Sequence, residues 1–282
     1  MAGRALVLGL AGLLAACSAP HPEAPAQPLA IYAMDCGHIT VSDADSFADD
    51  GSFAGQTREL VDPCYLIRHP SGDLIWDTGL PETLNAAADG YTAGEYHLTV
   101  PVTLTSQLAQ LGLAPGDIEY LSISHSHFDH LGNAALFAGS TWIVDADERA
   151  YMFRPEARAG EDFASYAALE NARYQLIEGD DDYDVFGDGA VTIIQAPGHT
   201  PGHTILRVNL PQAGPVLLTG DMWHMAESRE RRTVPRFNTD RAQTLASMDK
   251  VEALAAASRA RVIRQHVPED FAALPSFPEP LN

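Results

Sequence analysis

The sequence predicts an α/β fold in which two β-sheets pack face to face and helices cover their outer faces. Short apolar runs typical of buried strands recur in both halves of the chain, and helix-like segments separate them. The 282 residues, 46% of them hydrophobic, are enough for one sizeable α/β domain and exclude a disordered protein. The sequence contains no internal repeat and no glycine-rich phosphate loop.

In the N-terminal half, strand-like runs are expected at 29–34, 64–68 and 73–77. The last two form a hairpin through Pro70-Ser71-Gly72, because proline and glycine favour a tight turn. A helix is expected over Val102–Leu111. This half continues, in order, with a strand-like run at 118–124, a short helix at 133–137, a strand at 141–144, a helix at 147–153 and a poorly patterned surface or substrate-side insertion at 155–172.

The C-terminal half repeats the plan, and its clearest element is a helix from Arg241 to Ala257. Asp240 can cap this helix, with Gln243 three residues later. Its buried stripe is core rather than a cofactor site, because the apolar residues recur at helical spacing. The stripe comprises Leu245, Met248, Val251 and Leu254 or Ala255. Strands are expected at 191–195, 204–210, 215–219 and 261–265.

The first seventeen residues are expected to lie outside the fold as a signal peptide. Arg4 precedes an apolar run of about twelve residues, which is too short to span a bilayer comfortably. Leu14-Ala15-Ala16-Cys17 resembles the bacterial lipoprotein cleavage box and implies a lipid-anchored Cys17, and Ser18 implies the outer membrane, facing the periplasm. The alternative is ordinary secretion. Residues 18–28, rich in proline and alanine, are interpreted as a spacer ahead of the domain at 29–282.

The formal charge of −21 argues against a nucleic-acid partner, because phosphate would be repelled. The acidity is interpreted as a solvated surface that favours solubility. The lipid anchor at Cys17 is the one membrane contact that the sequence predicts.

The densest chemical signal is the run His125-Ser126-His127-Phe128-Asp129-His130. It follows a strand-like segment, so the scaffold would present these side chains at a strand end. His125 and His127 alternate and would leave the chain on the same side, while Asp129 and His130 could face a second ion. Imidazole and carboxylate together suit zinc, with iron, manganese or cobalt as alternatives.

Three further candidates each follow a short apolar strand. His199 lies in Ala196-Pro197-Gly198-His199, where proline and glycine fix a tight turn. Asp221 closes the run that begins at Val216, and His266 follows the run from Arg261. Taken singly, each would be an ordinary polar residue; behind the His125–His130 run they complete a ligand set.

This pattern resembles the metallo-β-lactamase superfamily of hydrolases over about residues 29–266. The resemblance implies the αββα sandwich of two mixed sheets, with the site in a cleft at one edge. It also implies two Zn²⁺ or other divalent transition metals per chain. Asp77, in the early Asp-Thr-Gly element, would orient a ligand imidazole; its alternative is a plain turn residue. The implied first metal is held by His125, His127 and His199, the second by Asp129, His130 and His266, and Asp221 bridges both.

Within the superfamily the segments Pro63–Pro70, Trp76–Pro81 and Ser124–Asn133 most resemble N-acyl homoserine lactonases. The resemblance implies opening of a small acyl lactone by a metal-bridging hydroxide, which quenches bacterial signalling. Asp129 or Asp221 would shuttle the proton. The alternative enzymes are a broader esterase, a phosphotriesterase or a β-lactamase on the same metals, and the non-enzyme alternative is a metal-binding protein without catalysis.

One position departs from the lactonase pattern. Well-known lactonases carry a tyrosine three residues after the bridging aspartate, and here that residue is His224. A histidine could donate the same hydrogen bond to the lactone carbonyl, or it could support a ligand instead. His203 is expected to pack rather than to bind metal.

Two other features are left with alternatives. Cys36 and Cys64 could form a disulfide in an oxidising compartment or remain buried free thiols. Tyr91, Tyr96, Leu98 and Val100 are expected in a loop that either lines an acyl chain or simply packs.

Overall fold

The computed structural model describes residues 28–179 and 181–282, together with residues 1 and 3. The predicted signal peptide and nearly all of the predicted spacer lie outside the described residues. The strands are β1 Ala30–Val41, β2 Arg58–His69, β3 Gly72–Trp76, β4 Tyr91–Ala93, β5 Tyr96–Thr99, β6 Tyr120–Ser122, β7 Thr141–Asp145, β8 Tyr174–Ile177, β9 Tyr183–Asp184, β10 Val191–Gln195, β11 Thr204–Leu210, β12 Gly214–Leu218 and β13 Arg261–Ile263.

The α-helices lie between these strands. They are α1 Leu104–Gln110, α2 Phe128–Leu131, α3 Ala146–Met152, α4 Pro155–Arg158, α5 Phe163–Tyr166, α6 Ser228–Arg231, α7 Arg241–Ser258 and α8 Pro268–Ala272. Short 3₁₀ helices cover Ala44–Phe47, Glu82–Ala86, Pro115–Asp117, Ala134–Phe137, Ala167–Asn171 and Gly220–Met222. Among the described residues, no helix combines the length and apolar character needed to cross a membrane.

Two mixed sheets form the centre of the fold. The first has the order β4-β5-β1-β2-β3-β6-β7-β8 and the second the order β13-β12-β11-β10-β9. The β3-β6-β7-β8 part and the β12-β13 pair are parallel, while the other pairs are antiparallel. The αββα prediction is therefore confirmed, and the β2–β3 hairpin forms as expected.

Alternation along the strands explains why the sheets stack between helices. In β10, Ile193 packs into the core between the two sheets, whereas its neighbour Ile194 packs against α7. In β3, Leu74 faces the same central core and Ile75 faces the helices outside the first sheet. A strand buried on both faces has no solvated side, which explains the consecutive apolar residues Leu74-Ile75-Trp76 in β3 and Ile193-Ile194 in β10.

Helix α7 bears out its predicted capping and core role. The Asp240 side chain accepts the Gln243 N–H at 2.9 Å, and Met248, Val251 and Ala255 are buried. Leu245 and Leu254 are only partly buried. The helix extends one residue beyond the predicted end, to Ser258.

Two regions differ from expectation. Residues 91–99 form the β4–β5 hairpin rather than a loop, and this hairpin extends the first sheet next to β1. Residues 155–172 fold into short helices that pack on the outer face of the first sheet, with Tyr166 and Leu169 buried.

Cys36 and Cys64 form a disulfide between β1 and β2, which decides between the two alternatives. Gly79 lies against it with a φ of +67°, and a Cβ at that position would stand 2.3 Å from the Cys36 Cβ. Only glycine fits there.

Candidate metal centre

The His125–His130 run lies where β6, in the middle of the parallel part of the first sheet, ends at Ser122. His125 and His127 precede the one-turn helix α2, which carries Asp129 and His130. The helix turns the chain, and the side chains of Asp129 and His130 fall in a different ligand group from those of His125 and His127. One short segment thereby serves two neighbouring positions.

The seven predicted side chains come together as two groups, within each of which the potential ligand atoms lie within 4.8 Å of one another. The first group is His125, His127, His199 and Asp221, and the second is Asp129, His130 and His266. Each group could hold a metal ion. The distribution of the histidines matches the one implied by the resemblance, and their role as ligands stays a prediction.

Asp221 stands between the groups and presents one carboxylate oxygen to each. Its Oδ2 lies 3.4 Å from the Nε2 atoms of His125 and His199, and its Oδ1 lies 3.1 Å from His130 Nε2 and 2.9 Å from His266 Nε2. A carboxylate in this position can bridge two cations, because its two oxygens point to different ligand sets.

The second group has the donor atoms of a cation site. His130 Nε2, His266 Nε2 and Asp221 Oδ1 are buried, and none has a hydrogen-bond partner among the described residues, although they face one another at close range. Unpartnered polar atoms in a protein interior are costly unless an ion satisfies them. The residues present therefore fit a bound divalent metal.

The electrostatics favour positive charge at the second group. Burial opposes protonation of His266, but the carboxylate of Asp221 outweighs it and raises the pKa of His266 to about 9. The pKa of His130 is raised for the same reason, by Asp221 and Asp77 against burial. Burial raises the pKa of Asp221, and the surrounding imidazoles lower it. Together the imidazoles outweigh burial, so the pKa of Asp221 lies well below its ordinary value.

Two histidines of the first group favour the neutral form of the imidazole. Burial lowers the pKa of His125 and of His127 well below the ordinary histidine value, and neighbouring histidines add to the effect. A neutral imidazole has a free lone pair, which is the form that binds a transition metal.

Hydrogen bonds at the far ring nitrogens orient the rings of the second group. Asp77 Oδ2 lies 3.0 Å from His130 Nδ1, and its Oδ1 accepts the Ser124 N–H at 2.6 Å. The carbonyl of Val61 lies 2.9 Å from His266 Nδ1. Each contact leaves the opposite nitrogen, Nε2, directed at Asp221. Asp77 thus occupies the orienting position expected for it rather than that of a plain turn residue.

Glu148 is a positioning residue that the sequence reasoning missed. It is buried on α3 and accepts three hydrogen bonds: from the Ser126 N–H at 2.7 Å, the Thr200 hydroxyl at 2.7 Å and the Gly202 N–H at 3.0 Å. Ser126 separates two candidate ligands and Thr200 follows a third. Glu148 therefore ties the two loops that carry the first group.

His203 packs behind the site, as expected. Its Nε2 accepts the Asp221 N–H at 3.1 Å, and its Nδ1 lies 3.0 Å from the Ala196 carbonyl. Both ring nitrogens are thus occupied by the backbone, and His203 supports Asp221 from below.

His224 is buried, with its Nε2 2.9 Å from Asp221 Oδ2 and its ring stacked 5.7 Å from that of His266. It also lines a pocket of about 260 Å³ that opens above the two groups. His224 therefore faces both the bridging carboxylate and the space a substrate would enter.

The upper part of the pocket is apolar. Of the residues proposed for an acyl wall, only Tyr96 lines it; Leu98 and Val100 are buried in the core, and Tyr91 is exposed on the hairpin. Leu98 and Val100 therefore follow the packing alternative, and Tyr91 neither lines the pocket nor packs in the core. The apolar lining residues are Ile39, Phe47, Leu60, Tyr96, Phe128 and Phe237.

This chain is similar in sequence and in structure to known proteins. The family model of the metallo-beta-lactamase superfamily matches residues 58–259. The N-acyl homoserine lactonase AttM of Azorhizobium caulinodans is 34% identical over 234 residues, which cover 79% of this chain and 87% of that protein. The N-acyl homoserine lactonase AiiA of Bacillus thuringiensis subsp. kurstaki is 30% identical over 232 residues, covering 80% and 88%.

Two solved structures are similar over 90% of this chain and the whole of theirs. One is an N-acyl homoserine lactone hydrolase with the product N-hexanoyl-L-homoserine bound at its catalytic metal centre, with a TM-score of 0.73 and 28% identity. The other is a variant of B. thuringiensis AiiA with N-decanoyl-L-homoserine bound at its active site, with a TM-score of 0.75 and 26% identity.

Proposed function

This chain belongs to the metallo-beta-lactamase superfamily, and on that premise we propose that it is a metal-dependent hydrolase that opens N-acyl homoserine lactones and so quenches bacterial signalling. The observation that carries the proposal is the pair of ligand groups joined by Asp221 at the floor of an apolar-walled pocket. An amphiphile with one reactive polar end fits such a pocket.

We propose the seven side chains of the two groups as metal ligands, with Asp221 as the bridge. Two divalent metals, Zn²⁺ in our proposal, would supply a Lewis acid for the lactone carbonyl and lower the pKa of a water molecule towards neutrality. The chain's own contribution is to fix both ligand groups in one rigid floor. Asp77 and Glu148 hold the rings and loops of that floor in place.

The reaction adds water to the lactone carbonyl carbon and breaks the bond between that carbon and the ring oxygen. One water proton goes to the ring oxygen, which becomes a hydroxyl, and the new carboxylic acid releases a proton to solvent. Asp129 lies at the pocket floor, with Oδ2 3.6 Å from His266 Nε2, and is placed to pass the first proton. Asp221 is the alternative carrier.

We propose that His224 donates a hydrogen bond from Nε2 to the lactone carbonyl, in the role that a tyrosine would take. His224 Nε2 faces Asp221 from the pocket side. The lactone carbonyl of a substrate in the pocket can therefore compete with Asp221 for the hydrogen bond from this nitrogen. Replacing His224 by alanine is expected to lower kcat/KM about tenfold to a hundredfold, the usual range for one lost donor to a developing oxyanion. His224→Gln, which keeps an N–H donor, should recover part of that loss.

Purified protein of known metal content tests the function by pH-stat titration of N-butanoyl, N-hexanoyl and N-decanoyl homoserine lactones, beside a paraoxon-like triester and a cephalosporin. Lactone turnover that disappears on chelation and in His127→Ala is the expected result. His38→Ala is the matched control, because this histidine is 43% exposed and pairs with Asp35 rather than with either ligand group. Faster turnover of the triester or the cephalosporin would contradict the lactonase assignment.

We also propose that the enzyme is anchored by lipid at Cys17 and faces the periplasm from the outer membrane. The support is the Leu14–Cys17 cleavage box and the buried Leu29, where the folded domain starts directly after the predicted spacer. Incorporation of a labelled acyl chain that is lost in Cys17→Ala is the expected result. An unlabelled protein in the soluble periplasmic fraction would contradict it.

A further inference from the structure

A second cavity, of about 330 Å³, adjoins the substrate pocket, and we call it the side cavity. Leu60, His224 and His266 line both cavities, so these three buried side chains form the wall between them. His266 belongs to the second ligand group, and His224 Nε2 lies 2.9 Å from Asp221 Oδ2. The ligand groups can therefore be reached from two sides, of which the proposed function uses one.

Three segments that are distant in sequence build the side cavity. They are residues 57–60 around the start of β2, residues 224–227 after the last 3₁₀ helix, and residues 266–269, where α8 begins. The Arg264 guanidinium joins the last two segments, because it donates to the Ala226 carbonyl at 2.8 Å and pairs with Asp270 of α8 at 2.7 Å. A hydrogen bond and an ion pair thus fix the shape of the cavity.

The lining of the side cavity is acidic where that of the substrate pocket is apolar. Glu59, Glu227 and Glu269 line it, together with one basic residue, Arg58. Arg58 pairs with Glu227 at 3.0 Å, so the negative charges of Glu59 and Glu269 remain in excess. Both of these glutamates are exposed, and they place negative charge at the opening of the cavity.

The inner end of the side cavity presents unsatisfied polar atoms. His266 is 1% exposed, and its Nε2 has no hydrogen-bond partner in the described part of the chain, although Asp221 Oδ1 lies 2.9 Å away. Buried polar atoms beyond a carboxylate-lined opening suit a cation. The carboxylates would repel an anion, and an apolar ligand would leave the polar atoms unsatisfied.

We propose that the side cavity is the route by which divalent metal ions enter and leave the second ligand group, with Glu59 and Glu269 drawing the ion to the opening. This inference rests on the proposed metal-dependent function. A hydrated dication loses solvation against an apolar lining, so the aromatic side of the substrate pocket is an unfavourable path for it. Carboxylates at an opening instead raise the local concentration of cations. Substrate and metal thus use different openings.

The first test obstructs the side cavity. Ala226 is exposed and lines the cavity, so Ala226→Trp should narrow the opening. We expect the rates of Co²⁺ uptake by metal-free protein and of Co²⁺ release to a chelator both to fall about tenfold. The dissociation constant should stay within about twofold of wild type, because an obstruction alters the path and neither end state. The absorbance of bound Co²⁺, followed by stopped flow, measures both rates.

Two further tryptophan variants are the controls for Ala226→Trp. Ala159→Trp adds the same bulk on the surface after α4, and Phe237→Trp adds bulk at the apolar opening of the substrate pocket. Both should keep the wild-type uptake rate within about twofold. Unchanged rates in Ala226→Trp, or an equal fall in Phe237→Trp, would overturn the proposed route.

The second test changes the charge at the opening without adding bulk. Glu59→Gln with Glu269→Gln should slow Co²⁺ uptake about tenfold at low ionic strength and about twofold at ~1 M salt, because salt screens the attraction. Arg58→Gln should act in the opposite direction and speed uptake about twofold. Glu156→Gln with Glu178→Gln removes the same charge at two exposed positions elsewhere. Equal slowing by the two double variants would overturn the role of Glu59 and Glu269.

Lactone turnover and Co²⁺ uptake fail separately. If metal-loaded wild type turned over no lactone, the proposed function would be wrong, and the uptake rates of the variants would still support or overturn the route. If metal-free wild type bound no Co²⁺, the proposed metal centre and the route would both be overturned.

Discussion

The floor and the mouth of the pocket are built in different ways. The floor consists of polar side chains at strand ends, almost all buried, whose rings and loops are each held by a hydrogen-bond partner such as Asp77 or Glu148. The mouth consists of six apolar side chains, four of them aromatic, on β1, β2, β5, α2 and two further short segments. The polar floor therefore sets the chemistry, while the apolar mouth sets which substrates reach it.

This difference has a kinetic signature. A change in the floor should lower kcat/KM for butanoyl and decanoyl lactones by the same factor, because both present the same ring to the same ligands. A change in the mouth should alter the ratio between them. Asp221→Ala, Glu148→Gln and Asp145→Asn alter the floor or the helix that supports it, and their expected effects decrease in this order.

Asp221→Ala should have the largest effect, because it removes the carboxylate that faces both ligand groups. We expect kcat/KM to fall at least about 1000-fold for both lactones and metal content to drop from two to one or fewer per chain. Elemental analysis and pH-stat kinetics measure these quantities. Asp249→Ala, a 69% exposed aspartate paired with Arg232, is the control. If Asp221→Ala kept its full metal content and its activity, Asp221 would not be the bridging ligand.

Glu148→Gln should loosen the floor without removing a ligand. The side-chain amide replaces one acceptor oxygen by an NH₂ donor, so the backbone N–H groups of Ser126 and Gly202, which donate to different carboxylate oxygens, cannot both keep an acceptor. We expect metal affinity to fall about tenfold to a hundredfold in chelator competition.

The exposed Glu156→Gln on α4 serves as the control for this change. An altered decanoyl-to-butanoyl ratio in Glu148→Gln would show that floor and mouth are coupled, contrary to the comparison.

Asp145→Asn should have the smallest effect and concerns stability alone. Asp145 caps α3, the helix that carries Glu148, and burial raises its pKa to about 6, helped by the charges of Asp147 and Glu148. Its folded-state pKa lies above the unfolded value of 3.8, so its contribution is fully present below about pH 4 and is lost as pH rises through 6.

Asparagine keeps the cap acceptor without the charge. Asp145→Asn should therefore raise the free energy of unfolding by about 1 kcal/mol at pH 7.5 and leave it unchanged near pH 4. Urea unfolding at the two pH values measures the difference. A lower free energy of unfolding for the variant at pH 7.5 would contradict the predicted direction of the effect. A changed decanoyl-to-butanoyl ratio would show that a change near the floor also affects the mouth.

The floor was largely predictable because its signals are local. His125 to His130 fall within one short run, and His199, Asp221 and His266 each follow an apolar strand. Glu148 could not be predicted because its carboxylate oxygens accept hydrogen bonds from loops 22 and 52 residues away in sequence. Nothing near Glu148 in the sequence indicates these contacts. The start of α3, with Asp145 as its cap, was the one available hint.

The mouth could not be predicted because tertiary contacts create it. Phe47 ends a one-turn 3₁₀ helix and Phe237 precedes α7, and neither segment has an apolar periodicity. The pairing of Arg236 with Asp45, which joins the two segments, connects distant parts of the chain. The hairpin at 91–99 resembles a loop in sequence because its strands are short and Gly94 interrupts them. Its alternation places Leu98 inward, so the residue packs in the core rather than towards a ligand.

The disulfide between β1 and β2 gives the fold a mechanical property. If the proposed lipid anchor is present, a pulling force on it would enter the sheet at Ala30, where β1 begins. The Cys36–Cys64 bond transfers that load into β2 six residues later, upstream of Ile39 in the pocket lining. A force on the proposed anchor would therefore meet a covalent bond before it could separate the rest of β1 from the site.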